Sequence, residues 1–321
     1  MQVLLACSPT KLDQTHEDRL EVVTTFSVRH RTRYFYDRPV KFGVHRLMMR
    51  PRDAHDMRLL TSSLIVSPAA SVRWEFDTFG NSVALLTFLK PADQLLIASE
   101  LMVRRYGYDD PIVRLARHTG PFPFTYEDEE RVDLAPVMQL GYPAERAVLE
   151  EWLASAWPEA SNETMALLDG LVRVIHERFR YGRREAQGVQ SPRETIRLGS
   201  GTCRDLAVLF MEVARLLGFA ARFVTGYLYD PVADHGHLGS SAPGAAEVTG
   251  GGATHAWSDV FVPGVGWVEF DPTNRIIAGR NLIRVATTRT ASQALPLTGA
   301  FISSGGCSLG MEVQVDVLRN D

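Results

Sequence analysis

The sequence predicts an α+β chain, and three observations predict it. From about Thr24 to Tyr108 apolar residues come in short alternating runs with no helical period. Helical periodicity begins after Pro143 and continues to Gly218. Beyond Gly218 the pattern returns to period two. At 321 residues the chain is long enough for two domains, each with its own core.

Composition narrows the function before any motif does. Hydrophobic residues are 45% and charged residues 22% of the chain, which is ordinary globular usage. A net charge of −4 gives no reason to expect a nucleic-acid partner. No apolar run approaches the roughly 18–20 residues of a membrane-spanning helix, so no membrane partner is expected. Three cysteines, Cys7, Cys203 and Cys307, lie far apart with no CxxC pair. That spacing argues against a disulfide framework or a zinc knuckle and for a reducing, cytoplasmic location. Residues 1–20 lack the basic start and the long apolar stretch of a signal peptide and read as a poorly ordered leader.

Taking the elements in order, residues 21–108 form the β-rich amino-terminal domain. Phe26, Val28 and Tyr34-Phe35-Tyr36 mark a strand that ends at Pro39. Further strands are expected at Leu64–Val66, Val72–Phe76, Val83–Phe88 and Leu95–Val103, with Asp77-Thr-Phe-Gly80-Asn81 as a turn. Short strands at this spacing predict an antiparallel sandwich or small barrel. The cluster Arg29, His30, Arg31 and Arg33 reads as a solvated strand face rather than a polyanion site. Residues 109–143, where five prolines flank the acidic Glu127–Glu130, read as a surface linker.

Residues 144–321 then form the second domain. Ala144–Trp157 and Glu163–Phe179 are helical, the latter with Leu167, Leu171, Val174 and Ile175 on one side, and Pro192–Leu198 is a short helix. A turn of small residues, Gly199-Ser-Gly-Thr202, leads into Cys203. Thr202 occupies an N-cap position, and Asp205 follows at capping-box spacing. Leu206, Phe210, Val213 and Leu217 recur at helical spacing, and Gly218 ends the helix. Arg222–Leu228 is a strand, followed by the long loop Asp230–Ala253, of a length that is usually functional or mobile. His255–Val262 and Gly266–Phe270 form a hairpin through Pro263-Gly-Val-Gly266. The alternation Met311–Leu318 is a returning strand that could seal either sheet.

Cys203 falls in the first turn of its helix, where unpaired N–H groups and the helix dipole favour a thiolate. A cysteine nucleophile also needs a base and a group that orients the base. His255 and Asp271 supply both, and they would face each other in a hairpin centred on Pro263. A register slip of one residue would turn them apart. Singly, each residue has a plain reading: a small core cysteine, a structural histidine, a turn-forming aspartate. The three together, in complementary places, argue for a site.

Gly-Thr-Cys203-Arg-Asp-Leu-Ala, Arg-Phe-Val-Thr-Gly226-Tyr-Leu, Thr-His255-Ala-Trp and Gly-Trp-Val-Glu-Phe-Asp271-Pro-Thr resemble, in order and spacing, the transglutaminase-like superfamily of papain-fold thiol enzymes. Arg33-Tyr-Phe-Tyr36 with Pro39-Val, and Asp77-Thr-Phe-Gly80-Asn81, look like the β-rich amino-terminal region of its bacterial branch, commonly described as transglutaminase-like cysteine proteases. The resemblance covers the chain from about residue 24 onward. It implies a papain/transglutaminase-like core of helices packed on an antiparallel sheet, preceded by the sandwich. It also implies Cys203 as nucleophile, His255 as general base and acid, and Asp271 as the orienting carboxylate.

The implied activity is thiol-dependent acyl transfer on peptide or side-chain amides of a peptide or protein substrate, without cofactor or metal. Hydrolysis, as a peptidase or amidase, is the leading expectation, and transfer to an amine is the alternative. A non-catalytic binding module with a relic thiol core, or a structural subunit of a larger assembly, is the reading from another class. The intact set of Cys203, His255 and Asp271 weighs against a relic. Gln190 and Tyr181 are candidates for a second oxyanion donor beside the Cys203 backbone N–H. Asp234, His235 and His237 have the residue types of metal ligands but lack a matching second pair, and Gly250-Gly-Gly252 lacks the Lys-Ser/Thr of a phosphate loop. Glu212 reads as a surface residue or salt-bridge partner, and Trp257 as core beside the base.

Overall fold

A computed structural model describes residues 21–108, 111–157, 161–182, 184, 188–231, 249, 252–302 and 305–320. The leader 1–20 with Cys7, most of the loop 230–253 with Asp234, His235 and His237, and Gly250 and Gly251 lie outside the described residues.

The chain opens with six strands, β1 (Glu21–Phe42), β2 (His45–Arg50), β3 (Met57–Ser67), β4 (Ala70–Phe76), β5 (Ser82–Phe88) and β6 (Ala92–Tyr108). Helices α1 (Pro111–Ala116), α2 (Asp128–Met138), α3 (Arg146–Ala156) and α4 (Thr164–Arg178) follow. Next come β7 (Arg180–Tyr181), α5 (Pro192–Leu198), β8 (Ser200–Gly201) and α6 (Cys203–Leu216). Strands β9 (Ala220–Leu228), β10 (His255–Val262), β11 (Gly266–Asp271), β12 (Ile276–Ile277) and β13 (Leu282–Thr288) make the second β-rich stretch. The chain ends with β14 (Leu297–Thr298), β15 (Phe301–Ile302) and β16 (Ser308–Arg319).

Two antiparallel sheets form the amino-terminal sandwich. One has the order β15-β1-β6-β3 with β16 also on β1; the other runs β14-β2-β5-β4. Tyr36, Val40, Leu47, Leu86, Leu95 and Ile97 fill the space between them. The expected sandwich is therefore present, but its strands are longer than the alternation suggested. β1 runs past Pro39, because a register shift between Phe35 and Val40 takes the proline out of regular pairing with β6. Within the Arg29–Arg33 cluster, period-two alternation leaves the arginines exposed and turns His30 inward. There its Nδ1 lies 2.9 Å from the Tyr227 hydroxyl, and burial lowers its pKa to about 4.

The core sheet has the order β12-β11-β10-β9-β13. Helices α3, α4 and α6 pack on one side of it, with Leu167, Leu171, Leu209 and Phe210 against Ala256, Val260, Val268 and Phe270. The far ends of β1 and β6 pack against it too, Phe26, Val28, Leu101 and Val103 meeting Tyr227, Tyr229, Ile283 and Val285. β1 and β6 thus serve both the sandwich and the core sheet. The returning strand β16 pairs with β1 from Phe26 to Tyr36, and β14 pairs with β2, so residues 297–319 join the amino-terminal sheets rather than the core sheet. The stretch read as a linker holds α1 and α2. Asp128, Glu129 and Glu130 occupy the first turn of α2, where they complement the helix dipole. Tyr126, Leu134 and Val137 dock beside Ala220.

Candidate active site

α6 begins at Cys203 because its first turn is capped from both sides. The Thr202 hydroxyl accepts from the Asp205 N–H, and Asp205 Oδ2 accepts from the Thr202 N–H at 2.8 Å. This is the reciprocal capping box that the spacing predicts. Asp205 is fully buried, and its other oxygen accepts from Arg184 at 3.1 Å and from the Gln190 N–H at 2.7 Å. Cys203 is thereby fixed at the first helical position, 7% exposed, with its own N–H outside the helical ladder.

The β10–β11 hairpin carries the other two residues. Ser258 pairs with Phe270 and Val262 with Gly266, so the turn is centred on Gly264, not on Pro263. His255 and Asp271 are consequently diagonal neighbours rather than directly opposed. Moving the centre by one residue moves the partners by two, so both side chains stay on the same face. Gly264 takes φ +81°, a conformation in which glycine avoids strain. Two contacts hold the hairpin against α6: the Ser258 hydroxyl donates to the Ala207 carbonyl at 2.9 Å, and Phe270 stacks on Phe210 at 5.4 Å.

His255 Nε2 and Asp271 Oδ2 are 2.8 Å apart, and both side chains are fully buried. The second ring nitrogen, Nδ1, is buried and makes no bond to an oxygen or nitrogen. The Cys203 thiol is near enough to bias the charge of the ring. Burial opposes the imidazolium, but Asp271 first and then Cys203 outweigh it and raise the His255 pKa from 6.5 to about 10. Burial likewise opposes the Asp271 carboxylate; His255, Asn274 and the Thr273 N–H overcome it and hold the group below its ordinary value.

Two family models match the chain. Residues 26–104 match the bacterial transglutaminase-like N-terminal region, and residues 146–272 match the transglutaminase-like superfamily. The second match spans Cys203, His255 and Asp271 and ends just beyond the last of them. The chain belongs to the transglutaminase-like superfamily.

Relatives of this transglutaminase-like protein run through nearly its whole length. Uncharacterized proteins of Mycobacterium bovis and Mycobacterium tuberculosis are each 27% identical over 308 residues, spanning 91% of this chain and 92% of theirs. A Mycobacterium leprae protein, also uncharacterized, is 22% identical over 288 residues. A solved structure described as a proposed cysteine protease from Cytophaga hutchinsonii superimposes with a TM-score of 0.66 over 94% of this chain and 92% of that one. At 19% identity this last likeness bears on the fold, and the α+β architecture with its β-rich amino-terminal region is shared.

One side chain of the transglutaminase-like site went unassigned in the sequence. Asn274 Nδ2 donates to Asp271 Oδ2 at 2.9 Å and lies 3.4 Å from His255 Nε2. Asn274 is itself held by Thr249, whose N–H donates to its Oδ1 at 2.7 Å and whose carbonyl accepts from Nδ2 at 3.2 Å. Asp271-Pro-Thr-Asn274 carried a turn signal, and the Thr273 and Asn274 N–H groups do bond Asp271 Oδ1.

The remaining candidates divide. Gln190 lies beside the start of α6, its backbone on Asp205 and its Oε1 accepting from the Thr195 hydroxyl at 3.1 Å. Tyr181 packs on the helical core. Glu212 is a salt-bridge partner and is not on the surface: it is fully buried, 2.7 Å from Arg215, and accepts from the Gly141 and Tyr142 N–H groups. Trp257 is fully buried in the core, with its ring 6.1 Å from that of His255. No helix among the described residues is long and apolar enough to cross a membrane.

Proposed function

We propose that this protein is a cytoplasmic thiol-dependent acyl-transfer enzyme acting on peptide or side-chain amide bonds, with Cys203, His255 and Asp271 as its catalytic residues. The observation that carries the reading is the buried Asp271–His255 bond, which engages Nε2 and leaves Nδ1 for the Cys203 thiol. With the His255 pKa raised to about 10, the Sγ proton already resides on Nδ1 near neutral pH, and in the first step Sγ adds as the thiolate to the amide carbonyl carbon. Asp271 and the Asn274 contact keep the ring in one orientation and favour the imidazolium. The Cys203 N–H, at the positive end of α6, supports the developing oxyanion.

The imidazolium then gives its proton to the departing nitrogen, the C–N bond breaks, and a thioester remains on Cys203. Water enters next. Nδ1 takes its proton, the hydroxide adds to the thioester, and collapse expels the thiolate with a carboxylic acid as product. Water is the acceptor we assign, because the bacterial branch with a β-rich amino-terminal region is the one described as proteases. An amine in the same place would yield a new amide instead.

Incubation with a mixed peptide library, with and without a primary amine, distinguishes these outcomes by product mass. Hydrolysed peptides are expected, and they should disappear with Cys203→Ala. Amine adducts as the main product would make the protein a transglutaminase. Turnover that survives Cys203→Ala would end the mechanism altogether.

A further inference from the structure

Beside the first turn of α6 lies a cavity of about 720 Å³. Three parts of the chain, distant in sequence, build this cavity. Tyr34 and Tyr36 come from β1, Leu297 and Phe301 from the returning tail, and Val189 and Arg204 from either side of the thiol. Arg204 follows Cys203 directly, and Val189 leads into Gln190, whose N–H is fixed on Asp205 at 2.7 Å. The wall of the cavity therefore includes the residue that follows the attacking cysteine in the first turn of α6. Its volume lies within the roughly 300–1,000 Å³ of sites that enclose a small ligand, room for a short piece of peptide.

The lining chemistry selects what enters. The walls are mainly aromatic and aliphatic, with Tyr36 packed edge-on against Phe301 at 4.8 Å. His45 on the wall is held below its ordinary pKa by burial, and burial keeps the Tyr34 and Tyr36 phenols protonated. Arg204 is the one charged side chain among the described lining residues. Its guanidinium is already engaged, 2.8 Å from the Ala291 carbonyl and 5.0 Å above the Phe223 ring. A cationic side chain would meet Arg204 with little water to screen it. An anionic one would lose its own hydration to an apolar wall. At the mouth, exposed Met311 and, beyond it, Val313 on one face of β16 continue the apolar surface.

We propose that this cavity is the acyl-donor subsite, taking a bulky apolar or aromatic side chain of the peptide next to the bond that Cys203 attacks. Specificity is then set by the amino-terminal strands and the returning tail rather than by the helical core. The inference rests on the reading of Cys203 as nucleophile.

Its test measures binding without turnover. Acetylated tripeptide amides that differ only at the central residue, Phe, Leu, Lys or Asp, are titrated calorimetrically into Cys203→Ala protein. Phe and Leu peptides are expected to bind at least about tenfold more tightly than the Lys and Asp peptides. Ala300→Trp, which places a ring in the cavity from an exposed wall position, should weaken Phe-peptide binding by about tenfold. Met311→Arg at the mouth should act in the same direction. Equal affinities for the four peptides, tighter binding of a charged one, no binding of any, or no effect of either substitution would overturn the proposal. An inert Cys203 in the wild-type protein would instead sink the reaction and leave the binding result readable.

Discussion

Asp271 sets the chemistry of the residues around it. Its Oδ2 serves His255 and Asn274, its Oδ1 serves two backbone N–H groups, and the side chain is fully buried. The pH consequences follow by sign. The folded His255 pKa, about 10, lies above its ordinary 6.5. The stability from its charged form is thus complete below 6.5 and lost as the pH rises through 10. Asp271 is depressed, so its contribution is present above the ordinary 3.8 and lost as the pH falls through its lower folded value. Asp271→Asn keeps the shape and removes the charge. The imidazole proton signals of His255, followed by NMR, should then titrate well below 10. An unchanged midpoint would show that Asp271 does not control the ring. Cys203, His255 and Asp271 were legible because each stands in a local pattern: a capped helix start, a strand start, a turn. Asn274 was not, since its role depends on Thr249 and His255 arriving from other segments.

At the scale of elements, the hairpin depends on a close approach beneath it. Gly226 of β9 lies opposite His255 on β10 and opposite Arg284 on β13, next to the register shift of β13. A Cβ there would sit 2.1 Å from the Ile283 carbonyl oxygen and 2.7 Å from the Trp257 ring. Gly226→Ala must therefore move backbone, and it should destabilise the fold by about 1–3 kcal/mol in urea unfolding. The same movement displaces His255, so Cys203-dependent turnover should fall with it. A variant of wild-type stability and activity would contradict this view of the sheet. α6 was readable nearly to the residue because Thr202, Asp205 and Gly218 punctuate it. α2 was hidden by the prolines around it, one of them inside the helix. β13 was missed because Leu282–Thr288 has a partner, β9, that only the fold supplies.

The whole molecule is joined by a ring of four charges. Arg105 of β6 bonds Asp56 at 2.6 Å and Glu269 of β11 at 3.0 Å. Arg284 of β13 bonds the same two carboxylates, at 3.0 and 2.8 Å. Each arginine thus bridges the amino-terminal strands to the sheet that holds His255 and Asp271. Glu269 stands two residues from Asp271 on one strand. Arg105→Ala would leave both carboxylates without one of their cations, and a loss of about 3–5 kcal/mol is expected for breaking such a buried set from one side. Urea unfolding measures it, and a change under about 1 kcal/mol would place the ring among exposed pairs instead. None of this was legible beforehand, because the two pairs that close the ring, Arg105–Glu269 and Arg284–Asp56, lie 164 and 228 positions apart. Alternation fixes which way a side chain points along its strand and says nothing of which distant strand it meets. The Asp77–Asn81 turn makes the same point. Its local geometry was foreseen, while the Asn81 side chain's two bonds to the Thr287 backbone, at 2.7 and 2.9 Å, were not.

The central claim is that His255 activates Cys203, and alkylation by iodoacetamide near neutral pH tests it most directly. Exposure alone favours Cys307, since Cys203 is buried. The account predicts the opposite order, with Cys203 labelled at least about tenfold faster than Cys307 and the advantage lost in His255→Gln. Equal rates in the folded wild-type protein, or an advantage that survives His255→Gln, would contradict it.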